Sequence, residues 1–170
     1  SGRALIRAEV PIMANYFGDA GYSTGVFGKW HLGANYPYRP QDRGFQESVW
    51  YPSSSIPSVP AYWGNDYFDD VYVHNGKEKQ FKGYCADVFF DEAKRFMSES
   101  AKKNKPFLCY LATNPPHGPF IPKEEDRKAI ADILAQSKFD HLNVGLKNRL
   151  SLYLGMIRNI DWNMGKLMKF

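Results

Sequence analysis

Gly21-Tyr22-Ser23-Thr24-Gly25-Val26-Phe27-Gly28-Lys29-Trp30-His31-Leu32-Gly33 is the stretch on which the fold turns. Tyr22 to Phe27 is small, β-branched and aromatic, which predicts a strand. It empties into a polar loop in which Gly28 and Gly33 bracket a cation and an imidazole. Immediately upstream, Val10, Met13, Ala14, Phe17 and Ala20 recur at helical spacing. That predicts a short helix over Glu9 to Ala20, with Pro11 in its first turn and Gly21 as a left-handed cap.

Downstream the texture changes. From Ala34 to Lys82, five prolines (Pro37, Pro40, Pro52, Pro57, Pro60) interrupt any period, and Tyr and Trp recur among Ser and Asp. The one regular piece expected in this excursion is a hairpin. Val71 to His74 and Lys77 to Phe81 flank Asn75-Gly76, a pair that supplies the positive φ angles of a tight turn. Asp42-Arg43-Gly44-Phe45 reads as a turn seating Phe45 in the core. Loops this long carry function or line pockets, and Tyr36, Tyr38, Trp50, Tyr51, Tyr62, Trp63 and Tyr67 could stack on a ring or merely pack the loop.

Regularity returns with Ala86, Phe89, Phe90, Ala93, Phe96 and Met97 on one face of an amphipathic helix. Phe107 to Ala112, a run of six apolar residues, predicts a strand buried on both faces. It discharges into Asn114-Pro115-Pro116-His117-Gly118-Pro119, which can be neither helix nor central strand. Two helices are expected after it, over Lys123 to Gln136 and roughly Lys147 to Lys169. The second carries Leu150, Tyr153, Leu154, Ile157, Ile160, Met164 and Leu167 as its apolar stripe. Asp161 falls on that stripe and reads as a buried structural anchor. Helix, strand, helix, strand, helix is α/β order, so the expected fold is a mainly parallel sheet flanked by helices.

Length and composition agree with one packed α/β core. The chain has 170 residues, 44% of them hydrophobic and 16% aromatic. Net charge is only +4, without the basic runs of a nucleic-acid binder, so no nucleic-acid partner is expected. No apolar run approaches a membrane span. Cys85 and Cys109 permit at most one bridge and have no metal-ligand spacing.

Ligands of open α/β sheets bind beyond the carboxyl ends of the strands. Lys29 and His31 follow one predicted strand and His117 follows another. If the strands are parallel, three groups able to donate to anionic oxygens meet at one edge, which suits an oxyanion substrate and proton transfer. On the residues alone, Lys29 reads more readily as a solvated charge, and each His as a structural hydrogen-bonder. A phosphate loop fails on spacing, because Ser23 stands where its first Gly belongs and Trp30 where its Ser/Thr belongs.

Gly21 to Gly33 resembles, almost throughout its thirteen positions, the second signature of the formylglycine-dependent sulfatases, arylsulfatase type, of the alkaline phosphatase superfamily. Arg43-Gly44-Phe45, Pro106-Phe107-Leu108, Pro116-His117-Gly118-Pro119 and Ile160-Asp161 with Gly165 follow in that family's order. The resemblance implies an alkaline phosphatase-like fold, here incomplete: residues 1–170 as the central part of a sulfatase catalytic domain, truncated at both ends. It implies a sulfuric ester hydrolase acting on a sulfated small molecule or glycan. The implied catalytic residues are Lys29 on the sulfate and nucleophile, His31 in the breakdown of the sulfated intermediate, and His117 on the departing alcohol. The implied cofactors are a divalent metal, Ca2+, and the formylglycine itself, both supplied from outside these residues. The family's Cys-x-Pro-Ser-Arg motif, or its Ser version, does not occur here, nor do its paired Asp metal ligands. The resemblance also implies a secreted, periplasmic or lysosomal location. Alternatives are a phosphonate or phosphodiester hydrolase of the same superfamily, and a non-catalytic sulfated-glycan binding protein.

Overall fold

The computed structural model describes residues 5–52, 55–56 and 66–170. Two compact units divide the chain, Ser1–Asn114 and Pro115–Phe170. The first unit holds helix α1 (Met13–Asp19), strands β1 (Ser23–Lys29), β2 (Glu47–Tyr51), β3 (Val71–His74) and β4 (Lys77–Gln80), helix α2 (Cys85–Lys102) and strand β5 (Phe107–Ala112). The strands form one sheet in the order β4-β3-β2-β1-β5. β1 pairs in parallel with β2 and β5, while β3 and β4 are antiparallel. The expected mainly parallel α/β sheet is therefore present, with a hairpin added at one side.

Period-two alternation along β1 sorts its buried side chains onto two faces. Val26 joins Ala14 of α1, Trp30, Phe45 and Trp50 in one core cluster. On the other face Phe27 packs against Phe96 of α2, and Gly25 lies so close to the Phe96 ring that a Cβ there would meet it at 2.9 Å. Tyr51 and Tyr72 continue that layer against Phe89. α1 and α2 thus cover opposite faces, and α2 is the crossover that returns the chain from the hairpin to β5.

Several expectations are corrected here. α1 begins only at Met13, because Pro11 precedes the helix and Ile12 is its extended N-cap residue. β1 does not stop at Phe27 but runs through Gly28 and Lys29. Gly28 pairs with Ala112, and a Cβ on it would sit 2.0 Å from the Ala112 carbonyl oxygen, so this glycine serves a close strand contact. The excursion contains β2 as well as the hairpin. β5 is not buried on both faces: it is the outermost strand on its side, with Phe107 and Tyr110 about 40% exposed.

The hairpin stands as expected, with Asn75 and Gly76 at φ 48° and 83°. So does the turn at Asp42-Arg43, a 3₁₀ turn over Pro40–Arg43 that buries Phe45. Arg43 within it donates to the Ala8 and Val10 carbonyls at 2.5 and 2.6 Å, which fastens the segment before α1. Glu47 opens β2 and accepts from His74 and Asn75, each at 2.9 Å, and from Arg95 of α2.

The second unit is built from helices α3 (Glu124–Leu134) and α4 (Val144–Leu167). Asn143 caps α4 by accepting from the Leu146 amide at 2.9 Å. Gly155 lets the first turn of α3 approach, since a Cβ there would lie 3.1 Å from the Arg127 nitrogen and from Pro122. The buried face of α4 is Ser151, Gly155, Met156, Asn159 and Asn163, whereas the expected stripe from Leu150 to Leu167 is half-buried to exposed. Small and polar residues won the interface because they allow the helices to come close. Asp161, expected on a buried stripe, is exposed. Among the described residues no helix is long and apolar enough to cross a membrane.

Candidate active site

The three parallel strands β1, β2 and β5 point their carboxyl ends to the same edge, in register at Lys29 with Tyr51 and at Gly28 with Ala112. From β1 the chain proceeds outward through β2, β3 and β4 and then returns to the other side of β1. The order therefore reverses beside β1, the position at which open α/β sheets leave a crevice for ligands.

Lys29 is the last residue of β1 at that reversal. It is half-buried, and among the described residues its side chain has no ion pair or hydrogen bond. An unpaired cation at a ligand-bearing edge is suited to an anion. Trp30 follows, buried, donating its indole N–H to the Tyr38 carbonyl at 2.8 Å and meeting Phe45 edge-on. This anchor fixes the backbone between the two polar side chains. His31 is exposed and held at φ 26°, a left-handed conformation that non-glycine residues seldom adopt and that gathers at functional sites. The structure thus brings Lys29 and His31 together on one loop.

His117 lies beyond β5 in the second unit. It is exposed, and its Nδ1 donates to the Gly118 carbonyl at 2.6 Å, which leaves Nε2 as the basic nitrogen of the ring.

Sequence reasoning missed Asn114. Buried at the carboxyl end of β5, it accepts through Oδ1 from the Tyr51 hydroxyl at 3.2 Å and the Ile56 amide at 3.0 Å. Through Nδ2 it donates to the Tyr67 hydroxyl at 2.9 Å. One side chain therefore ties β2 and two points of the excursion to the edge that carries Lys29. The signal available in the sequence was an amide two residues after an apolar strand. Of the aromatic candidates, Trp50, Tyr51 and Tyr67 are buried packing residues and Tyr36 is exposed. Tyr62 and Trp63 lie outside the described residues.

Neither cysteine offers a nucleophile. Both are free, burial raises the Cys85 thiol far above its ordinary range, and burial pushes Cys109 up to about 12. One group of metal-ligating side chains occurs among the described residues: Glu47, His74 and Glu92, with ligand atoms within 4.8 Å of one another. Arg95 bridges Glu47 and Glu92 there, and Glu47 opens β2, at the opposite end of the sheet from Lys29. Burial pushes the Glu47 carboxyl up, but bonds from Asn75, His74 and Arg95 outweigh it and hold the group below its usual value. The trio is an ion-pair network, and the described residues around Lys29 supply no carboxylate set that fits a divalent metal.

An open α/β sheet whose switch point carries a lysine unpaired among the described residues and a histidine at φ 26° is suited to an anionic ligand. Comparison with known proteins gives it a family. The family model described as Sulfatase matches residues 4–169, and the chain belongs to the sulfatase family. The N-acetylglucosamine-6-O-sulfatase of Bacteroides thetaiotaomicron is 36% identical over 104 residues, covering 61% of this chain and 16% of that protein. The crystal structure of Ps i-CgsB superposes with a TM-score of 0.77 at 25% identity, covering 99% of this chain and 38% of that one. Ps i-CgsB in complex with k-i-k-neocarrahexaose gives 0.74 at 25% identity, over 99% and 40%. The chain therefore spans well under half the length of each of these relatives.

Proposed function

We propose that this chain is the central part of a sulfatase catalytic domain and hydrolyses sulfate esters together with segments outside it. The observation that carries the reading is Lys29, a cation unpaired among the described residues at the end of β1, in a stretch whose sequence resembles the family's signature. A formylglycine, which would come from outside these residues, would supply the hydroxyl nucleophile that sulfate-ester cleavage needs. The sulfatase family is generally metal-dependent, and we take the metal as calcium, with ligands outside the chain.

The Lys29 ammonium donates hydrogen bonds to the sulfuryl oxygens and offsets the charge that grows on them as the S–O bond lengthens. His117 carries a proton on Nε2 and gives it to the leaving alcohol oxygen, so that the alcohol departs neutral. His31 would act as a base that takes up a proton as sulfate is released. The names of two relatives, an N-acetylglucosamine-6-O-sulfatase and a protein solved with a neocarrahexaose, favour a sulfated glycan as substrate. On the resemblance alone we place the reaction in a secreted, periplasmic or lysosomal setting.

Side-by-side assays of an aryl sulfate and an aryl phosphate ester on the intact protein test the reading. Turnover of the sulfate is expected to exceed that of the phosphate. A preference for the phosphate would replace the proposal with a phosphoester hydrolase, and binding of sulfated glycan without turnover would replace it with a binding protein.

A further inference from the structure

Tyr51 is the residue that the sheet sets next to Lys29. The two are register partners across the parallel pair of β1 and β2, on strands about 4.8 Å apart. Each is the last residue of its strand, so both stand where the sheet gives way to the ligand-bearing edge. The Tyr51 ring is buried against Tyr72 and Phe89. Burial raises its phenol above the ordinary value, so the hydroxyl keeps its proton and donates it to Asn114 Oδ1 at 3.2 Å.

Asn114 is 3% exposed. Its Oδ1 also accepts from the Ile56 amide at 3.0 Å, which engages both lone pairs, while Nδ2 donates to the Tyr67 hydroxyl at 2.9 Å. β5 ends at Ala112, the register partner of Gly28, so Asn114 lies two residues beyond the strand that flanks β1 on its other side. Lys29 therefore stands between the ends of β2 and β5, and one amide joins those two ends. All of these residues belong to the first unit.

An aspartate of the same shape would keep both acceptor bonds, and a hydroxyl can donate where it now accepts. Hydrogen bonding alone thus does not select the amide. Charge does: a carboxylate at this point would act as a counter-ion to Lys29 and would repel an anionic ligand. Among the described residues Lys29 has no counter-ion. We infer that Asn114 is a positioning residue of the anion site, fixing Tyr51 and with it the flank of Lys29 by neutral hydrogen bonds that leave the lysine's charge to the substrate. The inference rests on the reading of Lys29 as the group that meets the sulfuryl oxygens.

Steady-state kinetics of an aryl sulfate with the intact protein test it, with inorganic sulfate as competing inhibitor. The variants are Asn114→Asp, Tyr51→Phe and Lys29→Ala, each with its melting temperature. Asn114→Asp should melt close to the unmodified protein, yet raise KM and the sulfate inhibition constant about tenfold or more with a smaller change in kcat. A hub that only held the chain together would give the reverse, a lowered melting temperature with sulfate affinity intact. Tyr51→Phe adds no charge, and it keeps the inference open to test if Asn114→Asp does not fold. It should lower kcat about threefold or more through a looser flank, with sulfate inhibition unchanged. Sulfate inhibition within about twofold of normal in a folded Asn114→Asp, or normal kcat in Tyr51→Phe, would overturn the inference. Where Lys29→Ala is impaired and Asn114→Asp is not, only the role of Asn114 fails; normal turnover by Lys29→Ala would remove the reading of Lys29 and this inference with it.

Discussion

Asp70 is a residue whose burial works against the fold. It is 4% exposed, its Oδ1 accepts from the Val71 amide, and its Oδ2 is buried without a partner. Burial pushes its carboxyl up to about 6 from 3.8, with the nearby Asp66 charge adding to the effect. Between those values the folded chain holds a proton that the unfolded chain has lost. Stability from this group is therefore greatest at about pH 4 and falls as pH rises through 6. Asp70→Asn should raise the melting temperature at pH 7, by on the order of 1–2 kcal/mol of stability, and the gain should vanish by pH 4. Thermal melts of both proteins at the two pH values check it. Gly28 makes the opposite case. Gly28→Ala forces a methyl into the Ala112 carbonyl and should lower stability by about 2 kcal/mol or more, read by urea denaturation. The sequence singled out Gly28 as one of two glycines bracketing the polar loop. It could not show that a neighbouring strand approaches it, because register is set by tertiary pairing.

Among the elements, β2 was the one hidden from the sequence. Glu47 to Tyr51 lies in a proline-interrupted stretch, and five residues are too few for a period to declare itself. Its place is fixed from both ends by side chains distant in sequence. Glu47 is gripped by His74, Asn75 and Arg95, and Tyr51 by Asn114. β5 and α4 were found in the right places but with the wrong burial. A near-continuous apolar run says strand, but whether that strand is central or outermost depends on what pairs with it. The apolar stripe of α4 likewise could not reveal that the face at Gly155 is the one α3 needs. Asn114→Ala should leave the Tyr51 hydroxyl and the Ile56 amide without the Asn114 acceptor, and remove the Nδ2 donor from the Tyr67 hydroxyl. We expect a loss of about 2–4 kcal/mol in urea denaturation, with β2 and the excursion loosened together. Hydrogen exchange at Ile56 and Tyr51 should rise in that variant, and protection equal to the unmodified chain would refute the pin.

At the scale of the molecule, the functional edge follows from topology more than from any single residue. Three parallel strands end together, and the order reverses beside β1. The reversal carries a half-buried lysine that has no counter-ion among the described residues and a histidine at φ 26°. Lys29, His31 and His117 were singled out in the sequence because strand ends are where such sheets bind ligands, and Lys29 ends β1 while His117 follows β5 in the chain. The burial and isolation of Lys29 were not legible, since they depend on which carboxylates fold near it. The central claim is that Lys29 acts on the sulfuryl group. The most direct measurement is kcat for an aryl sulfate with Lys29→Ala in the intact protein, alongside its melting temperature. The expected result is a fall in kcat of about 10²-fold or more with the melting temperature unchanged, because a half-buried cation without partners contributes little to the fold. Turnover within about twofold of the unmodified protein would contradict the account.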